Sequence, residues 1–147
     1  MNEEVKYISY EEAISVYAKM IDASDGGFDG VRDEGGIRAA LEFVQNDMYY
    51  PNFSDKLCSL VYKFCSGHYF NDGNKRIALT LGTYFLHKNS YFWQATIFMR
   101  QMESIVYHVA ASNIDKDLLL RIMTCFMNGE DYDEELKIDI AYAMSKG

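Results

Sequence analysis

Proline is nearly missing from this chain, with Pro51 alone among 147 residues, and no low-complexity tract interrupts it. Both absences argue against a linker joining separate units. No apolar run approaches the ~20 residues that a membrane-spanning helix needs. The opening Met1-Asn2-Glu3-Glu4 is acidic and polar, the opposite of a secretory signal. A cytoplasmic protein with no membrane partner is expected. Cysteine is scarce too: Cys58, Cys65 and Cys125 are odd in number and lack metal-ligand spacing. On one helix, Cys58 and Cys65 would lie ~10 Å apart along the axis, too far for a disulfide, so buried free thiols are expected. Positive charge is in deficit as well. A net charge of −8 and an isoelectric point near 4.8 disfavour direct nucleic-acid binding. Five carboxylates crowd into Glu130-Asp131-Tyr132-Asp133-Glu134-Glu135, which reads as a solvated helix entry.

What the chain does have is apolar content, 49%, enough to build a core. Its length suits one domain, 1–147. Ser9 with Glu12 forms a capping box, and Ile14, Tyr17, Ala18 and Ile21 follow at helical spacing to about Ala23. The stretch Ser24 to Gly30 is a glycine-rich loop, with Phe28 or Val31 in a short extended hairpin. A second helix starts between Glu34 and Ile37 and runs through Val44. Asn46 to Asn52 is a loop packed on the body. A third helix covers about Ser54 to Ser66 and ends at Gly67. The fourth, about Asn74 to Lys88, is apolar nearly all round and should be the central buried helix, with Asn89 as a left-handed stop. Tyr91-Phe92-Trp93 leads into a fifth, about Ile97 to Ala111. A sixth covers about Lys116 to Met127, and an amphipathic seventh occupies the C-terminal stretch 133–145. His87 and His108 lie on helices away from any polar cluster and read as structural. The expected class is all-α, six or seven helices with a short β-hairpin flap and a core over about 7–127.

The fourth helix is preceded by His68-Tyr69-Phe70-Asn71-Asp72-Gly73-Asn74-Lys75-Arg76. A dense polar cluster thus sits where a loop becomes a buried helix, and the first amides of a helix lack partners and attract anions. Asn71 or Asp72 can cap the first turn. Asn71, Gly73, Asn74, Lys75 and Arg76 form a candidate phosphate or nucleotide site. His68 is placed as a general base able to take a hydroxyl proton. Asp72, a carboxylate beside phosphates, is the candidate Mg²⁺ ligand. Phe70, apolar in a polar loop, should point into the core as an anchor. Together these residues describe a Mg-nucleotide-dependent transferase acting on a hydroxyl.

The string fits the pattern His-x-Phe-x-Asp/Glu-Gly-Asn-x-Arg and resembles the active-site loop of the Fic/Doc family. Typical Fic members carry Gly where this chain has Lys75 and a second Arg where it has Leu79. Lys at the first and no Arg at the second resembles the death-on-curing, or Doc, branch. A second stretch, Gly30-Val31-Arg32-Asp33-Glu34-Gly35-Gly36, is similar to the Doc flap, and the resemblance runs from about Tyr7 to about Met127. It implies His68 as base, Asp72 as metal ligand, and Gly73, Asn74, Lys75 and Arg76 around the phosphates of ATP or another nucleoside triphosphate. The flap residues Gly30, Val31, Arg32, Asp33, Gly35 and Gly36 would hold a target segment by backbone pairing.

Doc-like members are further expected to transfer phosphate, to act on translation factors such as elongation factor Tu, and to be held by an antitoxin in trans. Two other readings stand beside this one: AMP transfer of the Fic type to Ser, Thr or Tyr, and a non-catalytic binding module. No Ser or Thr has Glu four residues on, so a Fic-type intramolecular latch is not expected. The apolar surface around Tyr49, Tyr50 and Phe53 is a candidate groove for the antitoxin.

Overall fold

In the computed structural model, which describes residues 4–23 and 30–146, the chain forms α1 (Tyr10–Ala23), α2 (Glu34–Phe43), α3 (Phe53–Ser66), α4 (Asn74–Lys88), α5 (Phe92–Ala110), α6 (Lys116–Met127) and α7 (Glu134–Ser145). The class is all-α, as expected. Among the described residues no helix is long and apolar enough to cross a membrane.

Short polar side chains set most helix starts. The Ser9–Glu12 box forms in both directions, at 2.9 and 3.1 Å. Asp33, Asp115 and Asp133 each accept an amide of the first turn of α2, α6 and α7, all at 2.8 Å, the arrangement that stabilises a helix start by about 1 kcal/mol. At α5 the sequence reading needs correction. Tyr91-Phe92-Trp93 is not a leader: α5 already begins at Phe92, with Tyr91 as its N-cap. The period that buries Ala95, Phe98 and Met102 extends back one turn, leaving Phe92 and Trp93 on the outer face. The left-handed residue after α4 is Ser90 (φ +68°), not Asn89. The Asn89 amide instead ties down Phe85 and Lys6 through its side chain.

α4 packs most extensively on α5 and α3, with α1 on its remaining side, and α6 lies against α3. Ile77, Leu81, Phe85 and Leu86 of α4 are fully buried with Leu57, Leu60 and Phe64 of α3 and Phe98 and Met102 of α5. Tyr50 is buried in its own right, and Phe53 stacks on Phe85 at 4.8 Å. Of Tyr49, Tyr50 and Phe53 only Tyr49 is exposed, where it lies beside the exposed Phe43 and Met48. Cys58 and Cys65 are buried free thiols, pushed by burial up to about 12 and about 11, and so stay protonated and unreactive.

α1 is clamped to the far end of α4 by the same glutamate that closes the capping box. Glu12 Oε2 accepts from Lys88 Nζ at 2.7 Å and from the Tyr84 hydroxyl. Lys88, then Tyr84 and the Ser9 amide, hold the Glu12 carboxyl down from an ordinary 4.5 to about 2. A depressed carboxylate stabilises the fold above its unfolded value and loses that contribution as pH falls through the folded one. Glu12→Gln is therefore expected to lower the urea midpoint at neutral pH, with the gap to wild type closing between pH 4.5 and about 2. A gap of constant size across that range would remove Glu12 from the acid response.

Candidate functional site

The end of α3 decides where His68 goes. Gly67, the expected stop, stays right-handed (φ −81°, ψ −11°). The left-handed turn falls on His68 itself (φ +53°), which costs a non-glycine residue about 1–2 kcal/mol. The next residue explains the turn. The Tyr69 ring lies so close over Gly67 that no Cβ would fit there, and a Cβ on Gly36 would come within 2.7 Å of it. The ring also meets Phe64 edge-on at 5.2 Å. With Tyr69 wedged between the end of α3 and the first turn of α2, the chain turns at His68 and leaves its side chain exposed. Strain of this kind collects at functional positions.

Phe70 then points inward, 1% exposed, and stacks on Tyr17 of α1 at 4.0 Å and 17°. Asn74 clasps the loop: its Oδ1 accepts from Phe70 N at 3.2 Å and its Nδ2 donates to Phe70 O at 3.0 Å. The Asn74 side chain is thereby occupied, and what it offers a ligand is its backbone N–H. Neither Asn71 nor Asp72 caps α4. The N-cap is Gly73 (φ +80°), a conformation that glycine adopts without penalty. Asp72 Oδ1 accepts the Gly73 N–H at 2.8 Å, and the Asp72 carbonyl accepts from the Tyr17 hydroxyl at 2.8 Å. The amides of Asn74, Lys75 and Arg76 open the helix without intrahelical partners. The Lys75 and Arg76 side chains are exposed and take part in none of the ion pairs among the described residues.

The glycine-rich segment before α2 pairs with this loop. Asn71 N donates to Gly30 O at 3.0 Å, and Arg32 N and Asp33 N both donate to Tyr69 O, at 2.8 and 3.0 Å. Val31 and Phe70 form an antiparallel bridge, the single extended pairing among the described residues. In such a pair the N–H and C=O of Val31 face away from the loop. Its side chain is 39% exposed. Gly35 and Gly36 do not lie on this segment but in the first turn of α2. The hairpin position at Phe28 falls outside the described residues.

A sequence model of the Fic/DOC family matches residues 7–86. The chain belongs to the Fic/Doc family. The matched stretch carries α1 through Leu86 of α4, and with it every contact just described, but stops short of the Met127 expected from the motifs. The chain is also similar to the Toxin Doc of Mycolicibacterium smegmatis, 33% identical over 96 residues, which are 63% of this chain and 74% of that protein. With the Protein kinase doc of Escherichia phage P1 it is 35% identical over 88 residues, 58% of this chain and 69% of that protein.

Two features set the Fic/Doc loop apart here. Leu79, where Fic members were expected to carry a second arginine, is 7% exposed inside the core. Asp72 offers a lone carboxylate: among the described residues no group of three or more His, Cys, Asp or Glu side chains is placed to share a metal. One such oxygen, with its partner held by Gly73, fits a magnesium ion that arrives with phosphate oxygens as its main ligands. It does not fit a cage built by protein alone. His68, Asn71, Asp72, Lys75 and Arg76 of the loop are exposed. A cavity of about 470 Å³ lies elsewhere, between α6 and α7, lined by Arg121, Cys125, Glu130 and Asp133 among others.

The sequence singles out His68, Asp72 and the α4 start as candidates, but not their supports Tyr17 and Tyr69. Tyr17 looked like one more position of the α1 core stripe, and no local pattern marks it as a loop support. Tyr69 had a faint signal: glycines at 36 and 67 where large side chains would otherwise pack.

Proposed function

We propose that this Fic/Doc protein transfers the γ-phosphate of Mg-ATP, or of another nucleoside triphosphate, to a hydroxyl side chain of a target protein. The observation that carries the reading is His68, held left-handed and outward beside a helix start whose amides and cations are unspent. His68 takes the proton of the attacking hydroxyl as the new O–P bond forms, while the bond from the γ-phosphorus to the bridging oxygen breaks and the nucleoside diphosphate leaves. The amides of Asn74, Lys75 and Arg76, with the Lys75 and Arg76 side chains, hold the charged phosphate oxygens. The free oxygen of Asp72 would hold magnesium, which when bound neutralises charge on the transferring group. Phosphoryl transfer asks for little else beyond positioning and electrostatics. The outward edge of Val31 would take an extended target segment by strand addition, with Arg32 next to it. Phosphate rather than AMP rests on Leu79 and Lys75: α4 brings a cation at its start and none at the second-arginine position.

The names of the two relatives, a toxin and a protein kinase, support a phosphate-transferring toxin; its restraint by an antitoxin in trans and a translation factor as its target are what the resemblance to the Doc branch implies. The test uses bacterial lysate with α- or γ-labelled ATP. Transfer of the γ label to a discrete protein is expected. Transfer of the α label would make the protein an AMP transferase, and transfer of neither would leave a binding module. Expression alone should arrest growth, and co-expression with the adjacent small reading frame should relieve it; equal growth of both strains would remove the toxin reading.

A further inference from the structure

We infer that Tyr17 is a positioning residue for the metal-bearing carboxylate, acting through the single peptide plane between Asp72 and Gly73. The inference rests on the proposed role of Asp72. In a trans peptide the C=O and the following N–H point in opposite directions. The Asp72 carbonyl points inward, where the Tyr17 hydroxyl donates to it at 2.8 Å. The Gly73 N–H of the same plane must then point outward, where Asp72 Oδ1 accepts it at 2.8 Å. The inner hydrogen bond thus sets the outer one, and the outer one aims the carboxylate.

The plane needs such a lock because it is free to turn over. Gly73 has φ +80°, and glycine occupies positive and negative φ about equally well. A flipped plane would turn the Gly73 N–H inward, away from the Asp72 carboxylate that now accepts it. It would also turn the partly negative Asp72 carbonyl towards the phosphate side and release the carboxylate. The Tyr17 ring is itself fixed by its stack on Phe70 and by its place in the core, 4% exposed. Its hydroxyl is therefore delivered to one point by a rigid element, as a support behind a metal ligand must be.

The experiment uses the full chain and Tyr17→Phe, which keeps the stack and removes the O–H. In the nucleotide-free protein, the Gly73 amide signal is expected to move and to exchange with water faster than in wild type, while amides within α4 keep their rates. By calorimetry, the Mg²⁺ concentration needed for ATP binding should rise ~10–100-fold, the usual cost of losing a support behind a metal ligand, with ATP affinity in the absence of Mg²⁺ unchanged. In an Asp72→Asn background, Tyr17→Phe should add nothing further. Equal loss of affinity with and without Mg²⁺ would make Tyr17 a packing residue and overturn the inference. So would an unchanged Gly73 amide. A normal Mg²⁺ requirement in Asp72→Asn would overturn the Asp72 assignment along with this inference. A raised one beside an unaltered Tyr17→Phe would overturn the inference alone.

Discussion

His68→Ala is expected to abolish transfer and to leave the stability of the fold where it was. The imidazole is exposed and makes no hydrogen bond or ion pair within the described protein, so its removal opens no cavity. Alanine meets the same left-handed penalty at φ +53° that histidine does, so that cost is unchanged. What would disappear is the proposed base, and loss of a general base lowers the rate by ~10²–10⁴. His68→Gly separates the two roles further. It should be as inactive as His68→Ala yet more stable by about 1 kcal/mol, because glycine occupies the left-handed region freely. Single-turnover transfer and urea midpoints on the three proteins decide the matter. Near-normal transfer by His68→Ala, or growth arrest that persists on its expression, would remove His68 as the base. A gain in stability at the expense of all activity is the signature of a position kept for chemistry.

Most of this fold was legible because its helices carry their own punctuation. The Ser9–Glu12 box, the stop of α3 near Gly67 and the nearly all-round apolar α4 are local patterns, and the structure has each of them. Errors came where one residue type serves two conformations. Aromatics at 91–93 fit an extended segment as well as a first helical turn, and the packing of Ala95 and Phe98 decides for the helix. The left-handed residues after α3 and α4 fall one position later than glycine or asparagine suggested, on His68 and Ser90. At His68 the cause is the Tyr69 wedge against α2, a contact across more than thirty positions of sequence that no window reads. Lys56 makes a further contact between separate parts of the chain that no local pattern marks. Its Nζ is buried, bound to Val44 O at 3.1 Å and Asp47 Oδ1 at 2.8 Å, where it holds the turn after α2. The polar motif announced itself in nine consecutive residues; its supports, Tyr17, Gly36 and Gly67, come from three separate elements.

Phe70→Ala should do the reverse of His68→Ala and strike stability first. Phe70 is among the largest fully buried side chains. Its ring stacks on Tyr17 at 4.0 Å and lies 6.5 Å from Phe64, so the loop of the site is nailed to α1 and α3 through one residue. Truncating a buried phenylalanine costs ~3–5 kcal/mol from lost burial and the cavity left behind. Against a total stability of about 5–15 kcal/mol for a domain, that is enough to leave a sizeable fraction unfolded at growth temperature. The Asn74 clasp and the pairing with Gly30 and Arg32 use Phe70's neighbours and backbone, so they survive in the folded fraction. They cannot hold the loop down without the ring, and transfer should fall even in molecules that remain folded. Phe70→Leu refills most of the volume and should recover the larger part of the stability. Urea midpoints and transfer rates of both variants, measured at a temperature where each is folded, test the argument. A cost below about 1 kcal/mol for Phe70→Ala would mean that the site is held by its hydrogen bonds alone, and that the aromatic stack beneath it is incidental.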